Sequence, residues 1–441
     1  MANLKIVLVG GGSTNWTPRV ICNLLANDYL RGGHVELYDI NAEALALTAA
    51  LTDRYCELAG SPMTVGHTTD RAAALDGASA VVVTIATGGL RAMRQDLEIP
   101  ERYGIFQTVG DTVGPGGLVR SLRNVPVFLD LARAMEEHCP TAWMLNCSNP
   151  LCALTRVVCR ETSIRALGVC HGVGGPANSL AQFLGVEIDR TSYVNTGVDH
   201  CAWFTDFVVD GQSAIDRLTG LGVEPWLSLP PKEAEDNSAF GSLYPFRCGI
   251  TLGLQLGVLP AIGDRHLMEF LPGYLAGQAC VERFGLVRTT VDERETRAME
   301  AGQRIERLLR GEDELKLESG GDDVAGWIAA LFGGPIKEDN VSAPNEGQIA
   351  QLPMGAIVET RGVLDGSGCH PLVSPMPPQV EAIVRPHSLR EELIIDAALE
   401  GNPAKALSAM ASDPLVGAGN VAREMLQEMV AANREWLPRF A

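Results

Sequence analysis

Short apolar runs alternate with segments of helical spacing through the first 200 residues, and this alternation constrains the fold most. The first run, Ile6–Val9, ends in glycines, as a buried parallel strand does. Helical spacing over Ala42–Leu58 separates two of the runs. Further strands are predicted at His34–Ile40, Met63–Thr69, Ser79–Ala86, Thr141–Asn146 and Arg165–Cys170. The pattern predicts an α/β fold with a Rossmann-like doubly wound parallel sheet and right-handed crossovers.

The second half of the chain has a different pattern. Tyr193–Val209 indicates a longer, partly exposed strand, and the stretch 366–378 is rich in loop-forming residues. Beyond Gly263 the chain is predicted to be mainly helical, at Leu267–Leu275, Val291–Leu309, Val324–Leu331, Leu389–Leu407 and Val421–Trp436. We therefore predict a sheet domain over residues 1–195 and a mixed, mainly helical C-terminal domain over residues 196–441.

Composition and charge exclude several classes of protein. The chain has 441 residues, 46% of them apolar and 20% charged, which suits a large buried core. No apolar run reaches the roughly 20 residues that span a bilayer, and no signal peptide is recognisable. A net charge of −19 repels nucleic acids and anionic lipids. Eleven cysteines without pairing rhythm fit a reducing cytoplasm, so we expect a cytoplasmic enzyme.

A dinucleotide signature follows the first strand. Gly10 and Gly12 would let the backbone approach a pyrophosphate, and Ser13 stands before the predicted helix. The third glycine of the usual pattern is replaced by Asn15, so an empty turn is the alternative. Asp39 ends the second strand, where a carboxylate accepts hydrogen bonds from the ribose of NAD and repels a 2′-phosphate. NAD is therefore favoured over NADP, although a plain surface aspartate is the other interpretation.

Unusual polar residues follow several of the predicted strands. Thr87 follows the fourth strand, Asn149 the fifth, and Cys170 with His171 the sixth. Ligands of open α/β sheets gather at the carboxyl ends of the strands. The sequence therefore predicts that these side chains share one sheet edge with the nucleotide.

Cys170 and His200 form a candidate metal site. Both stand at the ends of apolar runs, and thiolate with imidazole suits a divalent transition metal. Two protein ligands would leave coordination positions open for substrate oxygens. A cysteine in an apolar run is also often no more than buried packing, and that alternative stays open.

Three ionisable residues open a helix in the second half, namely Asp264, Arg265 and His266. An acid–base role is one interpretation of the group. Capping of the helix by Asp264 is an equally good one. The glycine-dense stretch 109–117 predicts a loop that touches the cofactor or closes the sheet edge, without chemistry of its own.

With these residues in view, the chain resembles glycoside hydrolase family 4, the NAD- and metal-dependent glycosidases, along its full length. The motifs that carry the resemblance occur in the family's order: Gly10–Thr14 with Thr17-Pro18, Ile99-Pro100 near Tyr103-Gly104, Gly114–Gly117, Asn149-Pro150, Gly168–His171, Asp199–Trp203, Asn345–Ile349, Leu352-Pro353, Val358-Glu359 and Asp413-Pro414.

The resemblance implies a redox route to hydrolysis that differs from the usual two-carboxylate mechanism. It implies oxidation of the sugar C3 hydroxyl by NAD, proton removal at C2, elimination of the glycosidic oxygen from C1, water addition and reduction back at C3. A metal, usually manganese (Mn²⁺) in this family, holds the C2 and C3 oxygens. A homodimer or homotetramer is the family's usual assembly.

The resemblance also implies roles for single residues. Cys170 and His200 match the metal ligands, and Asn149 matches a residue that hydrogen-bonds the sugar. His266 aligns near the tyrosine proposed as C2 base in the phosphoglycosidase branch, and His171 could assist the leaving group. The chain has Asp199 where most relatives have asparagine, which could add a ligand or hold the His200 ring.

The substrate class is predicted from the residues after Cys170. The sequence Cys-His-Gly-Val is similar to the branch that acts on α-linked uronic acids, which implies an α-glucuronide or α-galacturonide. A uronate carboxylate needs a positive partner, for which Arg94 and Arg265 are the candidates.

Three alternative functions remain at this point. An α-glucosidase or α-galactosidase of the same family would share the cofactors but act on neutral sugars. An NAD-dependent hydroxy-acid dehydrogenase of the lactate/malate type would share the sheet and need no metal thiolate. A nucleotide-sensing protein without turnover would keep the glycines and tolerate the loss of Cys170 and His200.

Overall fold

The structure, a computed structural model, describes residues 3–321 and 323–440. Its strands are β1 (Lys5–Val9), β2 (His34–Tyr38), β3 (Thr64–Thr68), β4 (Ala80–Val83), β5 (Trp143–Asn146), β6 (Arg165–Gly168), β7 (Thr191–Val198), β8 (Cys201–Val209), β9 (Gln212–Ser213), β10 (Leu259–Pro260), β11 (Lys337–Pro344), β12 (Ile357–Asp365) and β13 (Gly368–Pro371). Its helices are α1 (Trp16–Ala26), α2 (Ala42–Ala59), α3 (Arg71–Leu75), α4 (Gly89–Arg102), α5 (Gly114–His138), α6 (Leu151–Glu161), α7 (Gly174–Phe183), α8 (Ala214–Gly220), α9 (Val223–Leu227), α10 (Pro231–Glu235), α11 (Arg247–Leu256), α12 (Asp264–Leu267), α13 (Gln278–Phe284), α14 (Val291–Arg310), α15 (Val324–Leu331), α16 (Pro378–Glu400), α17 (Pro403–Ala411) and α18 (Gly419–Ala432).

The larger sheet has nine strands in the order β13-β12-β11-β6-β5-β4-β1-β2-β3. All neighbours from β6 to β3 are parallel, and the strand order reverses between β4 and β1. The prediction of a Rossmann-like doubly wound sheet is thereby confirmed. Val81, Val82 and Val83 are fully buried, because helices cover both faces of the sheet. Burial of each such side chain contributes about 1.5–3 kcal/mol to folding.

Three strands of the second half extend this sheet. β11 pairs antiparallel with β6 through Ser342 and Gly168, and β12 and β13 follow outward. The expectation of a mainly helical chain beyond Gly263 missed these strands, and the loop-rich stretch 366–378 contains β13. The reason is that β11 begins with three charged residues, Lys337 to Asp339, and is buried only over its later part. Tertiary packing therefore decides its conformation.

A second sheet contains β7, β8, β9 and β10. The predicted long strand Tyr193–Val209 is in fact an antiparallel hairpin of β7 and β8, in which Val198 pairs with Cys201. Asp199 and His200 form the turn between the two strands. The hairpin projects the turn towards the carboxyl edge of the larger sheet.

The helices of the second half follow the predicted ranges in part. Val291–Leu309 and Val324–Leu331 are helical, whereas Leu267–Leu275 is wrong because a single turn there gives way to a 3₁₀ turn at Met268–Phe270. The predicted helix Leu389–Leu407 is two helices, α16 and α17, because Gly401 ends α16 with a φ of 63°. No helix in the described residues is both long and apolar enough to cross a membrane.

The second half packs on both faces of the parallel sheet. α16 and α17 lie against α5 on one face, and α15 lies against α1 on the other. Both halves of the chain thus contribute to one core, and the division at residue 195 stays a prediction. The carboxyl edge of the parallel strands is left facing the second sheet, and the candidate site lies there.

Candidate active site

Three potential metal ligands meet at the carboxyl edge of the sheet, and we call them the donor cluster: Cys170, Asp199 and His200. Cys170 follows β6, whereas Asp199 and His200 come from the hairpin turn. The Cys170 Sγ lies 3.6 Å from the His200 Nε2, and one ligand atom of each residue lies within 4.8 Å of the others. Thiolate, imidazole and carboxylate are donors that suit a divalent transition metal. The donor set therefore fits the implied metal.

The backbone of the hairpin turn is unusual at His200. Its φ is 63°, in the left-handed region that non-glycine residues rarely adopt. Two-residue hairpin turns require such a conformation at a central position, which glycine or asparagine usually provides. A histidine held in it indicates that the side chain is needed at that place.

The hydrogen bonds of Thr112 orient the His200 ring. The Thr112 hydroxyl donates to the Asp111 Oδ1 at 3.0 Å and lies 2.8 Å from the His200 Nδ1. Because a hydroxyl has a single proton, Thr112 must accept from Nδ1–H, which leaves the Nε2 lone pair facing Cys170. This is the tautomer that a metal ligated through Nε2 requires.

A buried carboxyl group holds the loop that carries Thr112. The Glu269 Oε1 accepts from the backbone N–H of Val109 at 2.7 Å and of Gly110 at 2.9 Å. Burial raises the pKa of Glu269 to about 7, although these two hydrogen bonds act in the opposite direction. At the end of the loop, the Gln107 amide bonds the backbone of Val113. The loop is therefore fixed against the rest of the site.

Asp111 lies among positive and titratable groups. Burial alone would raise its pKa, but nearby positive charge, that of Arg120 first, outweighs burial and holds the pKa below its usual value. Arg120 on α5 is itself buried and donates to the Asn149 carbonyl at 2.9 Å. Asp111 is therefore a carboxylate beside the donor cluster.

Two further guanidinium groups, Arg265 and Arg294, have an unused donor. In the part of the chain that the structure describes, the Nε of each is buried without a hydrogen-bond partner. Arg294 also donates to the Val109 carbonyl at 3.2 Å. Burial, together with the positive charge of Arg265, lowers the pKa of Arg294, while Asp111 opposes this. The two Nε donors therefore have no protein partner that compensates for their burial.

His266 stacks beside His200. The two ring centroids are 4.0 Å apart and the ring planes are tilted by 30°. Burial, and then the proximity of His200, lowers the pKa of His266 to about 3. His266 is therefore a neutral imidazole near pH 7.

Asp264, predicted to have a catalytic or a capping role, lies against another helix. Its two oxygens accept from the backbone N–H of Cys248 at 2.6 Å and of Gly249 at 2.8 Å, at the start of α11. Burial raises the pKa of Asp264 to about 7. These contacts favour the capping interpretation, but the helix that Asp264 caps is α11 and not α12, to which it belongs.

Arg94, a predicted substrate ligand, is already paired with carboxylates. Its partners are Glu98 at 2.8 Å, Asp292 at 2.7 Å and Glu295 at 3.0 Å. Hydrogen bonds to these acids raise the pKa of the guanidinium. Among the described residues, no contact joins Arg94 to the donor cluster, so its substrate role stays a prediction.

The remaining predicted substrate and acid–base residues, His171 and Asn149, follow β6 and β5 at the carboxyl edge of the sheet. His171 is exposed next to Cys170. Asn149 precedes a cis peptide bond to Pro150, and its side chain accepts from the Leu151 N–H at 3.2 Å. The roles of both residues stay predictions.

A cavity of about 600 Å³ opens where the strand order reverses, and we call it the switch-point cavity. Gly10, Asp39 and Thr87 line it. Gly10 has a φ of 95°, and a Cβ there would lie 2.7 Å from the Thr84 Oγ1. Only glycine therefore keeps this edge open, which fits the close approach of a pyrophosphate.

The other two predicted cofactor residues support the same edge. The Gly12 N–H donates to the Asp39 Oδ2 at 2.9 Å, and a Cβ on Gly12 would lie 3.0 Å from that oxygen. Ser13 accepts from the Trp16 N–H at 3.1 Å, at the start of α1. The structure thus brings the five predicted residues to one edge.

Sequence reasoning missed Asp111, Thr112, Arg120 and Arg294. Asp111 and Thr112 lie in the glycine-dense stretch, which was given no chemistry of its own. Arg120 and Arg294 lie inside helices, where arginine is normally a solvated surface residue. The density of glycines was the one signal in the sequence that could have found the loop.

Comparison with known proteins identifies the family. Residues 5–186 match the profile described as Family 4 glycosyl hydrolase, and residues 195–416 match the Family 4 glycosyl hydrolase C-terminal domain. An α-galacturonidase of Bacillus subtilis (strain 168) is 34% identical over 94% of this chain and 93% of its own length.

Solved structures agree with this match. The candidate glucosidase lplD of Bacillus subtilis has a TM-score of 0.88 and 30% identity, over 97% of this chain and 100% of its own. A 6-phospho-α-glucosidase from gut microorganisms, solved with NAD and Mn²⁺, has the same fold, with a TM-score of 0.81 and 23% identity over 99% of both chains. The predicted resemblance and the glycoside hydrolase class are confirmed, and the chain belongs to the family 4 glycosyl hydrolases.

Proposed function

We propose that this protein hydrolyses α-linked uronic acid glycosides, either galacturonides or glucuronides, and uses NAD and a divalent metal such as Mn²⁺. The similarity to an α-galacturonidase supports the substrate class. The NAD and Mn²⁺ bound to a structural relative support the cofactors, together with the donor cluster and the switch-point cavity.

The observation that carries the substrate class is the pair Arg265 and Arg294. Each has a buried Nε without a partner among the described residues. Buried donors of charged groups are costly unless they are paired, and a carboxylate is the natural partner of a guanidinium. A uronate supplies such a carboxylate, whereas a neutral sugar does not. Arg265 and Arg94 are kept as candidates from the sequence prediction, and we add Arg294.

The cofactor-binding residues divide between the two parts of the site. Cys170 and His200, with Asp199, would hold the metal, and the switch-point edge would hold the dinucleotide through Gly10, Gly12, Ser13, Asp39 and Thr87. When bound, the two cofactors supply oxidation at the sugar C3 and polarisation of the sugar oxygens.

The protein's own groups would handle protons and orientation. His266 would accept the C2 proton, a role supported by its position beside the His200 ring and not by its lowered pKa. His171 would protonate the leaving oxygen, and Asn149 would hydrogen-bond the sugar. Asp264 would contribute by fixing α11, which lies next to the His266 segment.

Substitution of Arg294 gives the sharpest test of the substrate class. We expect Arg294→Ala to weaken galacturonate binding about tenfold or more, because a hydrogen bond to a charged group contributes about 1.5–3 kcal/mol. Galactose binding should change less than about twofold, measured by calorimetry with NAD and Mn²⁺ present. The matched control is Arg297→Ala, an exposed arginine on the same helix.

Two outcomes would contradict the proposal. If Arg294→Ala lowered the affinities for galacturonate and galactose equally, Arg294 would not be the partner of the substrate carboxylate. Hydrolysis of p-nitrophenyl α-uronides at the same rate without NAD would remove the redox mechanism itself.

We also propose a cytoplasmic location and a homodimer or homotetramer. Within the described residues none of the eleven cysteines forms a disulfide, which fits a reducing compartment. Self-association would cover exposed apolar side chains such as Met354 and Val373. The proposed division assigns NAD binding to residues 1–195, and substrate, metal and subunit contacts mainly to residues 196–441.

A further inference from the structure

The C-terminal segment supplies one wall of the switch-point cavity. Trp436 follows α18 and lines the cavity together with Asp39 and Thr87 from the parallel sheet. The match to the family's C-terminal domain ends at residue 416, so this wall comes from beyond the matched range. The strand edge alone therefore does not complete the cavity.

Close packing fixes the indole of Trp436 in this position. A Cβ on Gly88 would lie 2.9 Å from the Trp436 Cδ2, so the ring packs directly on the backbone that precedes α4. The Arg91 guanidinium lies 4.6 Å from the ring centroid and also pairs with Glu435. The aromatic wall is thus preformed.

An exposed aliphatic residue lines the same cavity. Ile40 is 88% exposed although it is large and apolar, and it directly follows Asp39, the expected ribose acceptor. An indole and an aliphatic side chain beside a ribose acceptor suit a flat heteroaromatic base. The base nearest to that ribose is adenine.

We infer that Trp436 binds the adenosine half of NAD, so that the C-terminal segment is part of the cofactor site. This inference rests on the proposed NAD dependence. Val127 and Leu131 of α5 line the cavity as well and extend the apolar surface. Loss of the indole removes an aromatic face for the base and should weaken binding of the whole dinucleotide.

The test measures binding of NADH and of ADP-ribose to the full chain. Trp436→Ala should raise both dissociation constants by about tenfold or more, because base stacking on an aromatic side chain contributes about 1–3 kcal/mol. Trp436→Phe should recover most of the affinity. NADH-induced quenching of tryptophan fluorescence should lose amplitude in Trp436→Phe at saturating NADH.

The control is Arg434→Ala, an exposed residue of the same segment that does not line the switch-point cavity. It should bind NADH like the wild type, and thermal unfolding without ligand should show that all variants are folded. Unchanged affinity in Trp436→Ala overturns the inference alone. Weaker NADH binding with unchanged ADP-ribose binding overturns the assignment to adenosine. Failure of the wild type to bind NADH overturns both this inference and the proposed NAD dependence.

Discussion

The donor cluster depends on particular side-chain atoms, whereas the switch-point cavity depends on glycines, which have no side chain to fill it. Sγ and Nε2 face each other across 3.6 Å in the first region, and any other residue would change the ligand set. In the second region Gly10 keeps the cavity open, and most of the other side chains that line the cavity are apolar. A single substitution in the donor cluster should therefore abolish most of the activity, whereas a single substitution at the cavity should only weaken NAD binding.

The two regions also differ in how they are fixed. The His200 ring is oriented through Thr112, which lies 88 positions away in the chain, and the loop of Thr112 is held by Glu269. The switch-point edge is fixed within one strand–helix–strand unit, because Gly12 bonds Asp39 only 27 positions later. The donor cluster thus depends on the whole fold, whereas the glycine edge of the cavity, unlike its C-terminal wall, depends mainly on a local motif.

The largest effect is expected for Cys170→Ser. Loss of the thiolate should lower α-uronide hydrolysis by about 1,000-fold or more, because a bound metal contributes several kcal/mol of transition-state stabilisation. Bound Mn²⁺, measured after dialysis, should fall in parallel. The control is Cys56→Ser on α2, since burial raises the pKa of that thiol to about 11 and makes it a poor ligand. Residual activity above a tenth of the wild type would contradict the role of Cys170 as an essential metal ligand.

A smaller effect is expected at the cavity, from Gly10→Ala. The new Cβ would lie 2.7 Å from the Thr84 Oγ1 and the loop must shift, so the dissociation constant for NAD should rise about tenfold to a hundredfold. Gly60→Ala is the matched control, because Gly60 also has a positive φ but no atom within 4 Å of an added Cβ. Both variants should lose about 1 kcal/mol of stability or more. Equal NAD affinity in the two variants would remove the role given to Gly10.

The same difference explains what the sequence could predict. The glycines, Asp39 and the six parallel strands were found because apolar runs and turn residues signal them locally. Cys170 and His200 were found because both stand at the ends of apolar runs. Thr112 and Arg294 were missed because their roles arise from contacts across the fold, such as the bond from Arg294 to Val109, 185 positions away.

The strands of the second half show the same limit. β11 joins the sheet by pairing with β6, and β12 joins it by pairing with β11, so nothing in their own periodicity identifies them. The helix predicted over Leu267–Leu275 was wrong for a similar reason. Its apolar residues are buried individually around a 3₁₀ turn and not along one helical face.

A third effect, on stability and not on activity or cofactor binding, is expected from titration of the group that holds the Thr112 loop. Burial raises the pKa of Glu269 from 4.5 to about 7, so the folded state binds more protons than the unfolded state between these values. Protonation of Glu269 therefore stabilises the fold below pH 4.5, and this contribution is lost as the pH rises towards about 7. The change is about 1–3 kcal/mol.

Glu269→Gln should flatten this part of the pH dependence, because the amide does not titrate. The measurement is the free energy of unfolding from denaturant curves between pH 4.5 and 8, for wild type and variant. The Gln amide oxygen can still accept from Val109 and Gly110, so the loop should stay in place. An identical slope in both proteins would mean that Glu269 does not titrate in this range. Because no titrating group lies at Gly10, Gly10→Ala should leave the slope unchanged, which separates the two regions again.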